Sequence, residues 1–150
     1  IRENFDFYEP KTVHESSLSP CVHVILAAKI KRLDKALELY LRTSRLDLDD
    51  YNHEADEGLH ITSMAGTWMS IVEGLAGVRV YEDGLSINAQ IPHPWKSYAF
   101  QIRYQNQPLD IAITQDKVTI TNLGSALISC DLAGTTIQIE AGAQHEAALK

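Results

Sequence analysis

The chain has 150 residues, of which 45% are hydrophobic and 22% are charged, with 8 Gly and 5 Pro. This composition is typical of a folded globular protein and excludes a collagen, a low-complexity linker and a disordered tail. Thirteen Lys and Arg against 20 Asp and Glu give a net charge of -7, so we expect neither nucleic acid nor an acidic membrane surface as a partner. The longest apolar stretch, residues 21–28, is far shorter than the roughly 20 residues of a membrane span.

The first residue and the two cysteines predict the origin of the chain and its cellular compartment. It opens on Ile1 rather than on an initiator Met, and we expect a fragment of a longer polypeptide. Cys21 and Cys130 are too few for a disulfide scaffold and lack the spacing of a zinc site. We expect both thiols to be reduced and buried in a cytoplasmic protein, with a disulfide between them as the less favoured alternative.

The first 30 residues predict a loop followed by a buried helix. Residues 1–20 mix aromatic and polar side chains without a helical period, which predicts an irregular loop. Ser19 before Pro20 is typical of an N-cap followed by Pro at the first helical position. Residues 21–30 are apolar on nearly every side, so we expect this helix to lie in a core.

Two further helices are predicted before residue 78. Apolar residues recur at helical spacing from Leu33 to about Asp47 and predict an amphipathic helix. After a polar connector, Met64 and Trp68 begin a second apolar repeat that predicts a helix ending at Gly77. Because three helices cannot cover a first helix that is apolar all round, we expect this half to belong to a larger helical assembly.

Beyond Gly77 the apolar period changes from 3.6 to 2, which is typical of β-strands. The alternation recurs in residues 98–105, 109–113, 118–120 and 137–139. A block of helices followed by a block of strands predicts an α+β protein rather than repeated βαβ units. We predict a helical part at residues 1–78 and an antiparallel β-sheet or β-sandwich domain at residues 79–150.

The first candidate site lies at the start of the third predicted helix. His60, Thr62 and Ser63 stand where a helix N-terminus presents unpaired N–H groups and a partial positive charge. Such a position favours an anion, and phosphate would fit. The alternative is that Thr62 or Ser63 is an ordinary N-cap and His60 a hydrogen-bonded loop residue.

The second candidate site is the polar segment at residues 12–19. It gathers His14, Glu15, Ser16 and Ser17 ahead of the first predicted helix. A loop of this kind can hold sugar hydroxyls or a second edge of an anion. The alternative is that its serines satisfy helix N–H groups.

Two other chemistries receive no support from the spacing. A Ser-His-Asp nucleophile is disfavoured because the chain has no GxSxG motif. Its aspartates at positions 47, 49 and 50 predict only a solvated helix end. A metal site made of His14, His23, His53 and His60 lacks i, i+4 or HExxH spacing. We therefore expect no metal, and we expect His23 to be hydrogen-bonded within the core.

Two long segments resemble glycoside hydrolase family 65. They are FDFYEPKTVHESSLS at residues 5–19 and EGLHITSMAGTW at residues 57–68. The similarity continues through residues 45–51 and 91–98, so it covers about the first hundred residues, far more than a short pattern would match by chance. It is greatest to the maltose, kojibiose and trehalose phosphorylases of the family. The resemblance implies the last helices of an (α/α)6 barrel followed by a small C-terminal β domain.

The resemblance also implies an activity. The phosphorylases of this family cleave an α-glucosidic disaccharide with inversion and release β-glucose 1-phosphate. Because phosphate arrives as an anion, it needs positioning rather than a general base, and one glutamic acid suffices for the leaving oxygen. In the family that acid precedes the segments found here, so we expect it upstream of Ile1, with Glu9 and Glu15 as fallback candidates. We therefore expect the chain alone to be inactive.

The resemblance assigns roles to the two candidate sites. His60, Thr62 and Ser63 match the phosphate-binding segment, and His14, Ser16 and Ser17 match a loop at the same pocket. Inorganic phosphate is the expected co-substrate, with no other cofactor. The disaccharide is left open, and we expect a homodimer or association with the rest of a barrel. Two alternatives remain, a trehalose hydrolase of the same family and a noncatalytic carbohydrate-binding or structural module.

Overall fold

The computed structural model describes residues 1–51, 53–54, 56 and 58–149. The chain divides into two compact units, Ile1–Leu75 and Ala76–Lys150. The first unit is helical and the second consists of β-strands, so the α+β class is confirmed. The division falls at Leu75, whereas the sequence pattern placed the boundary after residue 78.

The helical unit contains more elements than the three helices expected from the sequence. Its described elements are α1 (Arg2–Tyr8), a 3₁₀ turn (Glu9–Lys11), α2 (Ser19–Lys29), α3 (Leu33–Ser44), α4 (Leu46–Asp49), α5 (Ile61–Met69) and a π-helix (Ser70–Leu75).

The expectation of an irregular loop over residues 1–20 is wrong because its first part is α1. A helix of seven residues is not stable in isolation, so contacts with the rest of the unit must hold it. Phe5 is 6% exposed and its ring centroid lies 5.9 Å from that of His23. The guanidinium of Arg2 donates to the carbonyl of Ile30 at 3.0 Å. Because these partners lie 18 and 28 residues away in sequence, no local pattern could reveal the helix.

The second helix begins one residue earlier than predicted. Ser19 and Pro20 occupy its first two positions and Leu18 precedes them. Ser19 is therefore not the N-cap, and its hydroxyl instead lies 2.9 Å from Nδ1 of His14.

The third predicted helix is a short α-helix continued by a π-helix. It begins after His60, so neither Thr62 nor Ser63 is its N-cap. The wider π turn starts at Ser70, whose buried hydroxyl donates to the carbonyl of Gly66 at 2.8 Å.

Small residues, rather than large ones, form the buried face of α5. Ser63 and Gly66 are its buried residues, while Met64 and Trp68 are 46% and 51% exposed. The apolar repeat that begins at Met64 and Trp68 therefore predicts the helix but does not mark its buried face. A Cβ added to Gly66 would lie 2.9 Å from Cβ of Cys21, so α5 approaches α2 too closely for larger side chains.

The described residues of the β unit form eight strands. They are β1 (Arg79–Tyr81), β2 (Gly84–Ile87), β3 (Ser97–Tyr104), β4 (Gln107–Thr114), β5 (Lys117–Asn122), β6 (Ile128–Leu132), β7 (Thr135–Ile139) and β8 (Gln144–Ala148). They form two four-stranded sheets, in the orders β1-β2-β6-β7 and β3-β4-β5-β8. The four segments with alternating apolar residues are confirmed as β3, β4, β5 and β7.

The sheets are antiparallel except for one pair. Strands β2 and β6 run parallel, with Leu85 opposite Cys130, which the sequence analysis did not anticipate. Three strands of the other sheet separate β2 from β6 along the chain. A connection of that length lets the chain return in the same direction, as parallel pairing requires.

Alternate residues of both sheets are buried and form the core of the β unit. Examples are Leu85 and Ile87 of β2, Leu109 and Ile111 of β4 and Ile120 of β5, each at most 1% exposed.

Among the described residues, no helix has the length and apolar character needed to cross a bilayer.

Candidate functional site

The two segments singled out in the sequence meet in the helical unit. Ser17 lies in the loop before α2, and Thr62 lies in the first turn of α5. Their hydroxyl oxygens are 3.1 Å apart although 45 residues separate them in sequence. Thr62 is exposed and Ser17 is half-buried, so both hydroxyls can reach a small molecule at this surface.

His60 precedes α5 directly and is held between two carboxylates. Its Nδ1 lies 2.6 Å from Oδ1 of Asp47, and its backbone N–H donates to Oδ2 of the same residue at 3.0 Å. Its Nε2 lies 3.3 Å from Oε2 of Glu54. The hydrogen bond to Asp47, aided by the charges of both carboxylates, raises the pKa of His60. The imidazolium form is thereby favoured, and its charge would attract an anion.

Asp47 is a residue of this site that the sequence analysis missed. It was predicted to be part of a solvated helix end with Asp49 and Asp50. Asp49 fits that description because it pairs with Arg45 at 2.6 Å on the surface. Asp47 instead binds His60, and the same hydrogen bond lowers the pKa of its carboxyl. A separation of 13 positions follows no recognised motif, so spacing could not have identified the pair.

Ser63 and Ser16 are engaged within the chain. Ser63 is 2% exposed, and its hydroxyl donates to the carbonyl of Thr43 at 2.8 Å. The backbone N–H of Ser63 donates to the carbonyl of His60 at 2.9 Å. The hydroxyl of Ser16 accepts the backbone N–H of Leu18 at 3.3 Å. Both hydroxyls are thus engaged with backbone groups of the chain, but neither serine caps a helix.

His14 lies in a second group of side chains rather than beside His60. Its backbone is left-handed, with φ of 58°, and its carbonyl accepts the guanidinium of Arg42 at 2.8 Å. Its ring packs edge-on against His23 with centroids 4.6 Å apart, and its Nε2 lies 3.5 Å from Oε1 of Glu9. Burial lowers the pKa of His14 despite the nearby carboxylate of Glu9, so its neutral form is favoured.

Glu9, a fallback candidate for the general acid, is held as a carboxylate. Burial alone would raise its pKa, but the hydrogen bond and charge of Lys35, 2.9 Å away, outweigh this and lower it. A general acid needs the opposite shift. Glu15, the other fallback candidate, is exposed.

The histidines do not all behave as the spacing predicted. The side chain of His53 is exposed to solvent, and its Nδ1 lies 3.8 Å from Oδ2 of Asp50. His23 was expected to be hydrogen-bonded in the core, but within the described residues its Nδ1 has no hydrogen-bond partner. Glu57, which opens the second signature segment, lies outside the described residues.

Both cysteines are free and buried, as expected, and the alternative of a disulfide between them is wrong. Burial raises the pKa of Cys21 and raises that of Cys130 to about 11. Neither thiol is therefore a ready nucleophile.

The fold and this site define a two-part α+β protein whose helical unit carries a histidine with a raised pKa beside a helix start. The profile of the glycosyl hydrolase family 65 central catalytic domain matches residues 1–69, and that of the family 65 C-terminal domain matches residues 78–139. The chain belongs to glycosyl hydrolase family 65.

Known relatives of the chain are phosphorylases. A maltose phosphorylase of Bacillus subtilis (strain 168) is 56% identical over 117 residues, which cover 78% of this chain and 16% of the relative. An alpha,alpha-trehalose phosphorylase of Geobacillus stearothermophilus is 42% identical over 139 residues, or 93% of this chain and 18% of the relative. A solved structure described as a candidate kojibiose phosphorylase from the human microbiome matches with a TM-score of 0.88. It is 36% identical, over 96% of this chain and 20% of that chain.

The chain thus spans less than a fifth of the length of the two curated relatives, 16% and 18%. Within that span, residues 1–69 match the central catalytic domain and residues 78–139 match the C-terminal domain.

Proposed function

We propose that this chain is the C-terminal part of an inverting disaccharide phosphorylase, a cytoplasmic enzyme that cleaves an α-glucosidic disaccharide with phosphate. The products are β-glucose 1-phosphate and the released sugar. One observation carries the proposal. Ser17 and Thr62, one from each signature segment, lie 3.1 Å apart beside α5. His60, whose pKa is raised, directly precedes that helix.

In this proposal His60 supplies the positive charge and the directed proton for phosphate. Its Nδ1 is committed to Asp47, so the proton on Nε2 is the one that donates to a phosphate oxygen. Glu54 lies 3.3 Å from that nitrogen and is itself an anion, so it must move when phosphate binds. Thr62 and Ser17 then fix the orientation of the anion with their hydroxyls.

The remaining assigned residues support this arrangement from inside the unit. Ser63 ties α5 to α3 through its bond to Thr43, and Ser16 shapes the loop that carries Ser17. His14 fixes the start of the same loop through Arg42 and Ser19. Their contribution to phosphate binding is therefore positional.

The chemistry requires one more residue. Phosphate is a nucleophile without deprotonation by a base, because it is already anionic, but the leaving sugar oxygen needs a proton. We propose that the glutamic acid that donates it precedes Ile1 in the full-length protein, because Glu9 is held ionised by Lys35. The 150-residue chain by itself is then inactive.

The rest of a barrel is the proposed partner of the helical unit. Leu59, Ile61, Met64 and Trp68 are between 46% and 69% exposed, although apolar side chains of this size usually face a core. The match covers 16% of the maltose phosphorylase, and residues 1–69 match the central catalytic domain, so the other helices of that domain are the natural cover. The isolated chain should bind a hydrophobic dye or self-associate, and the full-length protein should do so less.

A phosphate-dependence assay tests the activity. The full-length protein that contains this chain is incubated with maltose, trehalose or kojibiose, with and without phosphate, and glucose 1-phosphate is measured. Maltose is tested first because the maltose phosphorylase is 56% identical. Phosphate-dependent release of β-glucose 1-phosphate is expected. Glucose release at a rate independent of phosphate would indicate a hydrolase, and no cleavage of any sugar would indicate a noncatalytic module.

A further inference from the structure

Glu9, His14 and His23 converge in the helical unit and include neither His60 nor Thr62 of the proposed phosphate site. One potential ligand atom from each residue lies within 4.8 Å of the other two. The three residues come from three different elements, the 3₁₀ turn, the loop before α2 and α2 itself. Their side chains are shielded, with 8% of the His14 side chain and 12% of the Glu9 side chain exposed.

The two imidazoles each leave a buried nitrogen unused. Within the described part of the chain, neither Nε2 of His14 nor Nδ1 of His23 has a hydrogen-bond partner. A buried polar atom without a partner is costly, and both histidines belong to the same cluster. Two histidines with unpaired buried nitrogens beside one carboxylate indicate a cluster that can hold a ligand.

The state of each group suits a metal ion. Burial lowers the pKa of both His14 and His23, which favours neutral rings with a free electron pair. Lys35 keeps Glu9 ionised. The other ring nitrogen of His14, Nδ1, lies 2.9 Å from the hydroxyl of Ser19, and such an outer bond typically orients a ligating histidine.

We propose that Glu9, His14 and His23 form a binding site for a divalent transition-metal ion of the zinc type. Two imidazole nitrogens, one carboxylate oxygen and an open fourth position make a donor set suited to Zn²⁺. Tetrahedral bonds of about 2.1 Å place ligand atoms roughly 3.4 Å apart. The cluster needs only small side-chain movements to reach that geometry. The proposed phosphorolysis does not use this ion, which would tie the segment before α2 to α2.

Lys35 limits the affinity of the site. Its ammonium lies 2.9 Å from Oε1 of Glu9, so it competes with a cation for the same carboxylate and repels it. Removing this charge should tighten metal binding, whereas removing a charge remote from the cluster should not. The loss of any positive charge would strengthen nonspecific surface binding. A gain in metal affinity that is confined to the loss of Lys35 therefore distinguishes the proposed site.

The test uses the full-length protein after treatment with a chelator. Zn²⁺ binding is measured by competition with a chromophoric chelator, and Co²⁺ binding by visible absorption. His23→Phe removes one ligand with little change in volume, and His53→Phe is the matched control because His53 lies outside the cluster. Lys35→Met and Lys29→Met, the latter an exposed lysine elsewhere on the helical unit, test the charge effect.

We expect one Zn²⁺ per chain to be lost, or its affinity to fall about tenfold or more, in His23→Phe and not in His53→Phe. Lys35→Met should bind more tightly than the wild type, and Lys29→Met should not. Zn²⁺ should also raise the unfolding temperature of the wild-type protein. If His23→Phe fails to fold, the proposal is still tested by the number of Zn²⁺ ions bound per wild-type chain and by the comparison of Lys35→Met with Lys29→Met. Absence of micromolar Zn²⁺ binding by the wild type, or equal effects of the two lysine variants, would overturn the proposal.

Discussion

Asp47 holds His60 through two hydrogen bonds, one to the ring Nδ1 at 2.6 Å and one to the backbone N–H at 3.0 Å. The carboxylate therefore fixes the ring, its tautomer and the start of α5 together. It also raises the pKa of the imidazole. A residue that appears in the sequence as part of a solvated acidic group is thus the group that sets the charge of the candidate phosphate site.

Asp47→Asn should weaken phosphate binding and alter its pH dependence. The amide cannot stabilise the imidazolium, so the pKa of His60 should fall back toward its ordinary value of 6.5. The KM for phosphate should rise several-fold at pH 7.5. The alkaline limb of kcat/KM for phosphate should move to lower pH. Asp49→Asn is the control because Asp49 pairs with Arg45, and an unchanged pH profile in Asp47→Asn would contradict the assignment.

The same pair should leave a signature in stability. Because the pKa of His60 is raised, its contribution is present below 6.5 and is lost as pH rises through the raised value. Because the pKa of Asp47 is lowered, its contribution is present above 3.8 and is lost as pH falls through the lowered value. Denaturant unfolding at several pH values should show both losses in the wild type and weaker ones in Asp47→Asn.

Glu54→Gln should improve phosphate binding. The carboxylate of Glu54 lies 3.3 Å from Nε2 of His60, where it occupies the position proposed for a phosphate oxygen and repels an anion. Removing its charge should lower the KM for phosphate at unchanged kcat. Asp56→Asn, an exposed carboxylate on the same connector, is the control. A higher KM in Glu54→Gln would mean that Glu54 assists phosphate rather than competing with it.

Ser17→Ala should raise the KM for phosphate more than Ser16→Ala. The hydroxyl of Ser17 faces Thr62 at the surface, whereas that of Ser16 accepts a backbone N–H within its own loop. Loss of one hydrogen bond to the anion should cost about two- to tenfold. Steady-state kinetics at fixed sugar concentration measure the difference. The reverse order of the two effects would exchange the roles of the serines.

Gly66→Ala should destabilise the helical unit. The added Cβ would lie 2.9 Å from both Cβ and Sγ of Cys21, and overpacking of this kind costs about 1–3 kcal/mol. Gly74→Ala is a matched control because its nearest contact, with Cγ1 of Val24 at 3.1 Å, is a less severe overlap. Urea unfolding should give a lower midpoint for Gly66→Ala than for Gly74→Ala. Equal midpoints would show that α2 and α5 can separate without cost.

Asn122→Ala should destabilise the β unit. Asn122 is fully buried, and its amide donates to the carbonyls of Ala126 at 2.8 Å and Ile139 at 3.0 Å. Leaving such groups unpaired costs about 1–3 kcal/mol each. Gln138→Ala on an exposed face is the control. Asn122→Asp should be destabilising as well because a carboxylate cannot donate to either carbonyl, and near-wild-type unfolding of both variants would contradict this account.

Local sequence patterns predicted the strands better than the helices. The period-2 alternation of residues 98–105 correctly predicted β3 because the alternating burial of a strand is visible within a few residues. The apolar period of α5 correctly predicted a helix, but its large apolar residues do not mark the buried face. Met64 and Trp68 are large and exposed, while Ser63 and Gly66 are small and buried. The small size of Ser63 and Gly66, rather than hydrophobicity, decides which face of α5 is buried.

The sequence by itself determined the class of the protein, the change from helix to strand after residue 77, and the two segments that carry its family membership. These features are local, since they depend on periodicity and on runs of neighbouring residues. Only the tertiary structure decided that Asp47 pairs with His60, that Ser17 meets Thr62, and that β2 runs parallel to β6. Each of these joins residues 13 to 45 positions apart. Such contacts form when helices and strands pack, and no local pattern encodes them.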